Sequence, residues 1–281
     1  MFPDLGKKYI HIRKIGNGGT GVVNLAVDTH TGFQVAIKSL FKSHFENNPA
    51  MLERFRIEAN IYLMLSHPNI VKLKDFILKD GAHLVMDYVE GMTLEEYIRN
   101  VTGPIPSEVA IAIIKEIATA IGYAHQKQIP IPGYNGVLHL DIKPSNILIS
   151  NSGKVMVIDY GISQGSNEDR MDFRVGSLMY MAPEQLQLDT TLDHRTDIYA
   201  LGVLLHQMLT GTTPYSSKET QDDIIFKIKN QPLERLITIY THVDIRLQKI
   251  IDVATSKNPE KRFKNCEEFI NSLEMIEHAA N

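Results

Sequence analysis

His139-Leu140-Asp141-Ile142-Lys143-Pro144-Ser145-Asn146, followed by Ile158-Asp159-Tyr160-Gly161, is the stretch on which the reading of this chain turns. It sets two acids, an amide and a lysine within 21 residues, 139 to 159. Asp141 can accept a proton or orient a hydroxyl. Asn146 can offer its amide oxygen to a hard cation, and Asp159 its carboxylate. Magnesium takes such oxygens together with those of substrate phosphates. Lys143 supplies positive charge where a transferring phosphoryl group gathers negative charge. Any one of these residues could be a turn or capping residue. Their joint order is what points to phosphoryl transfer.

Working outward toward the N-terminus, Ile15-Gly16-Asn17-Gly18-Gly19-Thr20-Gly21-Val22-Val23 lies between two strand patterns. Glycines there let backbone N–H groups approach phosphate oxygens with no Cβ in the way. Alone, the pattern also fits a hairpin turn or a dinucleotide loop. A dinucleotide loop opens a helix, whereas this one runs into a strand, which favours a flap over a nucleotide. Val35-Ala36-Ile37-Lys38 follows. On a strand, Ala36 and Lys38 share one face while Val35 and Ile37 pack on the other. Lys38 can then hold phosphate oxygens as a point charge. Glu58, on a helical pattern over 51–65, is the natural partner for Lys38, with Glu53 as the competitor.

The rest of the first hundred residues is strand-rich. Ile10 and Ile12 alternate with His11 and Arg13, and Val23, Leu25 and Val27 with Asn24 and Ala26, the period of half-buried strands. The 51–65 helix sets Leu52, Phe55, Ala59, Tyr62 and Leu63 on one side, and Ser66-His67-Pro68-Asn69 ends it, since a residue before proline avoids the helical region. Two more strands are expected near 70–78 and 82–89. After Gly91 the pattern turns helical. A short helix is expected over 94–100. Ser107 reads as the N-cap of a long helix over 108–126 whose apolar residues include Val109, Ala112, Ile113, Ile117, Ala120 and Ile121. Strands at Asn146–Ser150 and Lys154–Ile158 flank a turn. Helices at 196–210, 220–230, 243–255 and 266–278 complete the chain. Gln126–Val137 reads as a surface insertion.

Composition excludes several classes. The 281 residues carry a net charge of −4, so no basic field favours nucleic acid or an anionic membrane. No stretch reaches the ~18 apolar residues of a membrane helix, and the first residues lack a signal-peptide core. The single cysteine, Cys266, rules out an intrachain disulfide and fits a reducing, cytoplasmic setting. The eleven histidines show no His-x-x-x-His pair, which argues against a protein-built zinc site.

These motifs resemble those of the eukaryotic-type protein kinase family, from about Tyr9 to about Ile276. The Asp-x-Lys-Pro-x-Asn form is similar to the serine/threonine branch. The resemblance implies a single α+β domain over 1–281, bilobal and protein-kinase-like, with a β-rich N-lobe over about 9–89. A hinge near 87–92 would lead to a mostly helical C-lobe over about 93–276. It implies ATP with magnesium (or manganese) as cofactors, a protein substrate, and room for a regulatory partner or self-association. Lys38, Glu58, Asp141 and Lys143 would be catalytic, and Asn146 and Asp159 would hold the metal. Ile15, Gly16, Gly18, Gly21, Val23, Ala36, Lys38, Met86, Asp87, Val89 and Leu148 would hold the nucleotide, with Met86 as gatekeeper. Ala182-Pro183-Glu184 would close the activation segment, with Gly176-Ser177 near the acceptor. Asp197 would brace the catalytic loop and Arg262 would pair with Glu184.

Besides the extended stretch Gln126–Val137 before the catalytic loop, two departures stand out. Leu140 replaces the arginine of His-Arg-Asp, and Tyr160 replaces the phenylalanine of Asp-Phe-Gly. A nucleotide-binding pseudokinase scaffold is one competing reading, weakened by the complete set of catalytic residues. A small-molecule kinase of the aminoglycoside or choline type is another, weakened by residues 176–184.

Overall fold

The computed structural model describes residues 5–17, 21–41, 49–130, 136–160, 175–187, 190–216, 218–239 and 244–277. Gly18, Gly161, Ser163, Ser166, Arg170 and Arg174, and positions 131–135 of the insertion, lie outside them. The chain divides into two compact units, Met1–Glu90 and Gly91–Asn281.

The first unit is a five-stranded antiparallel sheet in the order β1-β2-β3-β5-β4. Its strands are β1 (Tyr9–Asn17), β2 (Gly21–Asp28), β3 (Gln34–Leu40), β4 (Leu73–Leu78) and β5 (Ala82–Asp87), with helix α1 (Pro49–Leu63) between β3 and β4. Directly paired residues share a face. The pairs Val23–Lys38, Leu25–Ala36 and Ala36–Met86 therefore put Val23, Ala36, Lys38 and Met86 on one face. Ala26, Val35, Ile37 and Val85 form the opposite face and pack with Leu5 and Tyr9.

Ile10 and Ile12 depart from the expected burial, being 59% and 44% exposed. Register shifts between His11 and Arg13 and between Lys14 and Gly16 break the strict alternation of β1. Tyr9 and Ile10 lie before the first shift, in regular pairing with Asp28 and Val27, so plain alternation turns Tyr9 to the core and Ile10 to the other face. In α1, Phe55, Ala59 and Tyr62 are buried as expected, but Ile61 takes an inward place and Leu63, in the last turn, is 36% exposed. Gly21 starts β2 so close to β3 that a Cβ would stand 2.2 Å from the Ser39 carbonyl oxygen. That approach alone requires glycine.

The second unit opens with a short strand that the sequence did not mark, β6 (Gly91–Thr93), paired to β7 (Ile147–Ser150), which pairs in turn with β8 (Val155–Val157). Helix α2 (Leu94–Tyr97) begins with a capping box between Thr93 and Glu96. Helix α3 (Ser107–His125) starts at Ser107, with Pro106 as N-cap and no side-chain cap. Ser107 is thus a helical residue, because Pro106 already provides the fixed extended entry. The buried stripe of α3 runs through Ala110, Ile114, Ile117, Ala118 and Ile121, while Val109 is 41% exposed. The remaining helices are α4 (Val175–Leu178), α5 (Arg195–Thr210), α6 (Gln221–Asn230), α7 (Leu236–Ile239), α8 (Ile245–Ala254) and α9 (Cys266–Glu277).

Helix α5 is buried from Thr196 to Thr210, with α3 and α8 packed against it. Gly202 makes the α8 contact possible, since a Cβ there would meet the Ala254 Cβ at 2.7 Å. No helix among the described residues is long and apolar enough to cross a membrane.

Candidate active site

The loop between α3 and β7 carries the decisive stretch, and its geometry is fixed from beneath by one buried acid. Asp197, in the first turn of α5, accepts the His139 backbone N–H at Oδ2 (2.8 Å) and the Leu140 N–H at Oδ1 (2.7 Å). His125, the last residue of α3, completes it, with Nε2 2.7 Å from Oδ2. Burial pushes the Asp197 carboxyl upward. The His125 bond and charge, with those of His139, outweigh this and hold it below the usual carboxylate range. A carboxylate with three donors is the form that such a buried site favours.

Leu140 adopts φ 62° and Asp159 φ 61°. A bulky residue in the left-handed region is strained by about 1 kcal/mol or more and persists only because its surroundings hold it. His139 is fully buried. Its Nδ1 lies 3.3 Å from the Asp141 backbone nitrogen, and its Nε2 donates to the Ile158 carbonyl at 3.0 Å. That bond ties the loop to the residue preceding Asp159. The ring also lies 4.7 Å from that of Tyr160. Tyr160 is buried, and its hydroxyl donates to the Ala120 carbonyl of α3 at 3.3 Å. The polar tip added by tyrosine thus finds a partner inside the fold.

Four of the residues singled out from sequence meet above this base. Lys143 Nζ lies 2.9 and 2.7 Å from the two Asp141 carboxylate oxygens and 2.7 Å from Ser177 Oγ. Asn146 Nδ2 donates to the Asp141 carbonyl (2.8 Å) and to Asp141 Oδ2 (2.9 Å). With both hydrogens directed at Asp141, the acceptor oxygen of Asn146 is the atom left for a hard cation. No cluster of three or more acidic, histidine or cysteine ligands exists among the described residues. An ion held by Asn146 and Asp159 would take its other ligands from water or a substrate, as magnesium does with phosphates. The residues fit that ion.

The end of the 175–187 segment is anchored as the sequence implied. Arg262 grips Glu184 bidentately at 2.6 and 2.8 Å. Thr196 Oγ1 adds a bond of 3.0 Å to Glu184, and the Arg262 guanidinium stacks 5.0 Å over the Tyr199 ring. In the first unit, Lys38 on β3 and Glu58 on α1 are both half-buried. Glu53 pairs instead with Arg56 at 3.0 Å on the exposed side of α1. Ile15 and Gly16 sit on β1, Gly21 and Val23 on β2, and Asp87 pairs with Lys74 at 2.7 Å. Val89 follows β5, and Leu148 lies on β7 of the second unit. His125 and Gln185 were not apparent from sequence. His125 acts on the Asp197 carboxylate and Gln185 on the Leu140 carbonyl, each distant along the chain, and no local pattern marks such a contact.

The chain matches the protein kinase domain family over residues 9–273. It is 33% identical over 270 residues to the probable serine/threonine-protein kinase PknB of Lactococcus lactis, covering 95% of this chain and 41% of that protein. It is 36% identical over 265 residues to the serine/threonine-protein kinase PrkC of Bacillus subtilis, covering 93% and 39%. Among solved structures it is similar to the PknI kinase domain of Mycobacterium tuberculosis, with a TM-score of 0.76, 26% identity and coverage of 98% and 97%. The fold, a β-sheet unit followed by a mainly helical one, is thus that of protein kinases. The chain belongs to the protein kinase family, and its relatives are named for the serine/threonine branch that the Asp-x-Lys-Pro-x-Asn motif resembles. It spans about two fifths of the length of the curated relatives it matches.

Proposed function

We propose that this domain transfers the γ-phosphoryl group of ATP to serine and threonine hydroxyls of protein substrates, itself included. The observation that carries the reading is the cluster in which Lys143 bridges Asp141 and Ser177 while Asn146 bonds Asp141. Asp141 orients the acceptor hydroxyl and takes up its proton. Lys143 offsets charge on the transferring group, and its bond to Ser177 brings the 175–187 segment to the site. That link supports a protein substrate, since an acceptor peptide would need such a segment beside the base.

Asn146 and Asp159 would hold magnesium, with manganese as an alternative. Bound there, the ion neutralises charge on the phosphate oxygens. Ile15, Gly16, Gly18, Gly21, Val23, Ala36, Met86, Asp87, Val89 and Leu148 would form the nucleotide site. Lys38, positioned by Glu58, would hold phosphate oxygens. The hinge is assigned to 87–92, between N-lobe and C-lobe, and the domain to the cytoplasm, where ATP is plentiful. Radiolabelled ATP with a generic protein substrate tests the reading. Label should appear on serine or threonine of the substrate with the wild-type chain and vanish with Asp159→Asn. Transfer to a small alcohol alone, or nucleotide binding without transfer, would sink it.

A further inference from the structure

Leu140 has no polar side-chain atom, so it cannot join the catalytic loop to the activation segment as an arginine would. Another side chain makes that join. Gln185, buried in the short 3-10 helix Pro183–Leu186, donates from Nε2 to the Leu140 carbonyl at 3.1 Å. Its Oε1 accepts the Ala182 backbone N–H at 2.9 Å. The amide orientation is unambiguous, because one neighbour can only donate and the other can only accept. Both peptide ends of Leu140 are therefore held by buried side chains: Asp197 on its N–H and Gln185 on its carbonyl. The bond to the carbonyl also sets the plane of the Leu140–Asp141 peptide, and with it the start of the Asp141 side chain. On the other side, the helix bearing Gln185 is fixed by the Glu184–Arg262 pair.

Resting on the activity proposed above, we infer that Gln185 is a positioning residue for phosphoryl transfer: its amide clamps the strained Leu140–Asp141 peptide to the end of the activation segment without needing a phosphate. A primary amide is the side chain that serves both neighbours. A carboxylate can accept from Ala182 but cannot donate to Leu140, and it places negative charge against a carbonyl. Protonated, the same carboxyl can do both.

That chemistry supplies the test. Wild type, Gln185→Glu and Gln185→Leu are compared from about pH 8 to about pH 6, a range into which burial beside a carbonyl raises a carboxyl. Turnover and KM for ATP are measured, together with hydrogen–deuterium exchange of residues 139–146, which needs no turnover. The ionisable groups joined to this junction are Asp197 and His125, His139, Asp141 and Lys143, and Glu184 and Arg262. All are present in wild type, so each rate is read as a ratio to wild type at the same pH. At about pH 8, Gln185→Glu should lose about tenfold in kcat, with KM for ATP within about twofold. The ratio should climb toward wild type as pH falls, and loop exchange should slow in parallel. Gln185→Leu should stay low at every pH. If Gln185→Leu does not fold, the pH course of Gln185→Glu still decides. A flat ratio, or kcat within about threefold of wild type at pH 8 with unchanged exchange, would overturn the inference. If wild type itself transfers no phosphate, the activity reading falls while the exchange arm still tests the clamp.

Discussion

The Asp141 carboxylate is held by three hydrogen bonds from Lys143 and Asn146, and the residue's backbone N–H faces His139. In the proposed reaction a carboxylate so fixed would be preorganised for the transition state, and its contribution would fall mainly on turnover. Asp141→Asn should therefore lower kcat by about 10²-fold or more while leaving nucleotide affinity nearly unchanged. Isothermal titration beside steady-state kinetics checks this, and a large rise in Kd with normal turnover would contradict the role. Lys257 behaves differently. Burial, and then the Arg262 charge, lower its pKa to about 8 from the ordinary 10.5. Below pH 8 both folded and unfolded chains are charged, and folding bears the full cost of burying the ammonium. Between 8 and 10.5 the unfolded chain binds more protons, so stability rises with pH. Lys257→Met should thus be more stable than wild type at pH 7, and its advantage should shrink across that window. Denaturant melts at pH 7 and pH 10 read the difference, and an advantage that stays constant would refute the assignment.

At the scale of elements, the second unit is organised around α5. Its first turn supplies Asp197 to the catalytic loop, and its middle lies against α8 at Gly202. A methyl at residue 202 has no flexible neighbour to displace, because it meets the Ala254 Cβ at 2.7 Å and the Thr255 Cγ2 at 2.9 Å. Gly202→Ala should destabilise by about 1–3 kcal/mol through overpacking, despite alanine's better helix propensity. A thermal melt decides between the two effects, and a raised Tm would mean that α8 shifts at no cost. The Glu184–Arg262 pair anchors the neighbouring segment. Removing either partner would leave a buried charge, a loss of about 3–5 kcal/mol by comparison with other buried pairs.

For the whole molecule, the question is what switches it. The protein-kinase signature has an arginine where Leu140 stands, and kinase activation loops are ordered by phosphorylation through new arginine–phosphate pairs, a charge-assisted contact. Leu140 cannot form such a pair, and the links from Gln185 and Asp197 to its peptide need no phosphate. Phosphatase-treated protein, and the Ser163→Ala/Ser166→Ala double variant, should keep most of their activity. A fall of more than about tenfold in kcat on dephosphorylation, worth ~1.4 kcal/mol of barrier, would overturn this and point to Arg170 or Arg174 as a substitute grip.

Much of this was readable in sequence because its signals are local. Hydrophobic period two marked β2 and β3, helical spacing marked α3 and α5, and the order of Asp141, Lys143, Asn146 and Asp159 marked the chemistry. What escaped was long-range. The exposure of Ile10 and Ile12 depends on which face of the edge strand β1 is covered, which no alternation within β1 reveals. Ser107 looked like a cap because cap preference is a local average, while Pro106 took the position. The contacts of His125 with Asp197 and of Gln185 with Leu140 join residues 72 and 45 positions apart. Local composition determined which elements form and which polar residues the loop before β7 presents. Only the packing of α3, α5 and the 183–186 turn around one loop decided which buried polar groups meet, because each had to find a hydrogen-bond partner wherever the fold brought one.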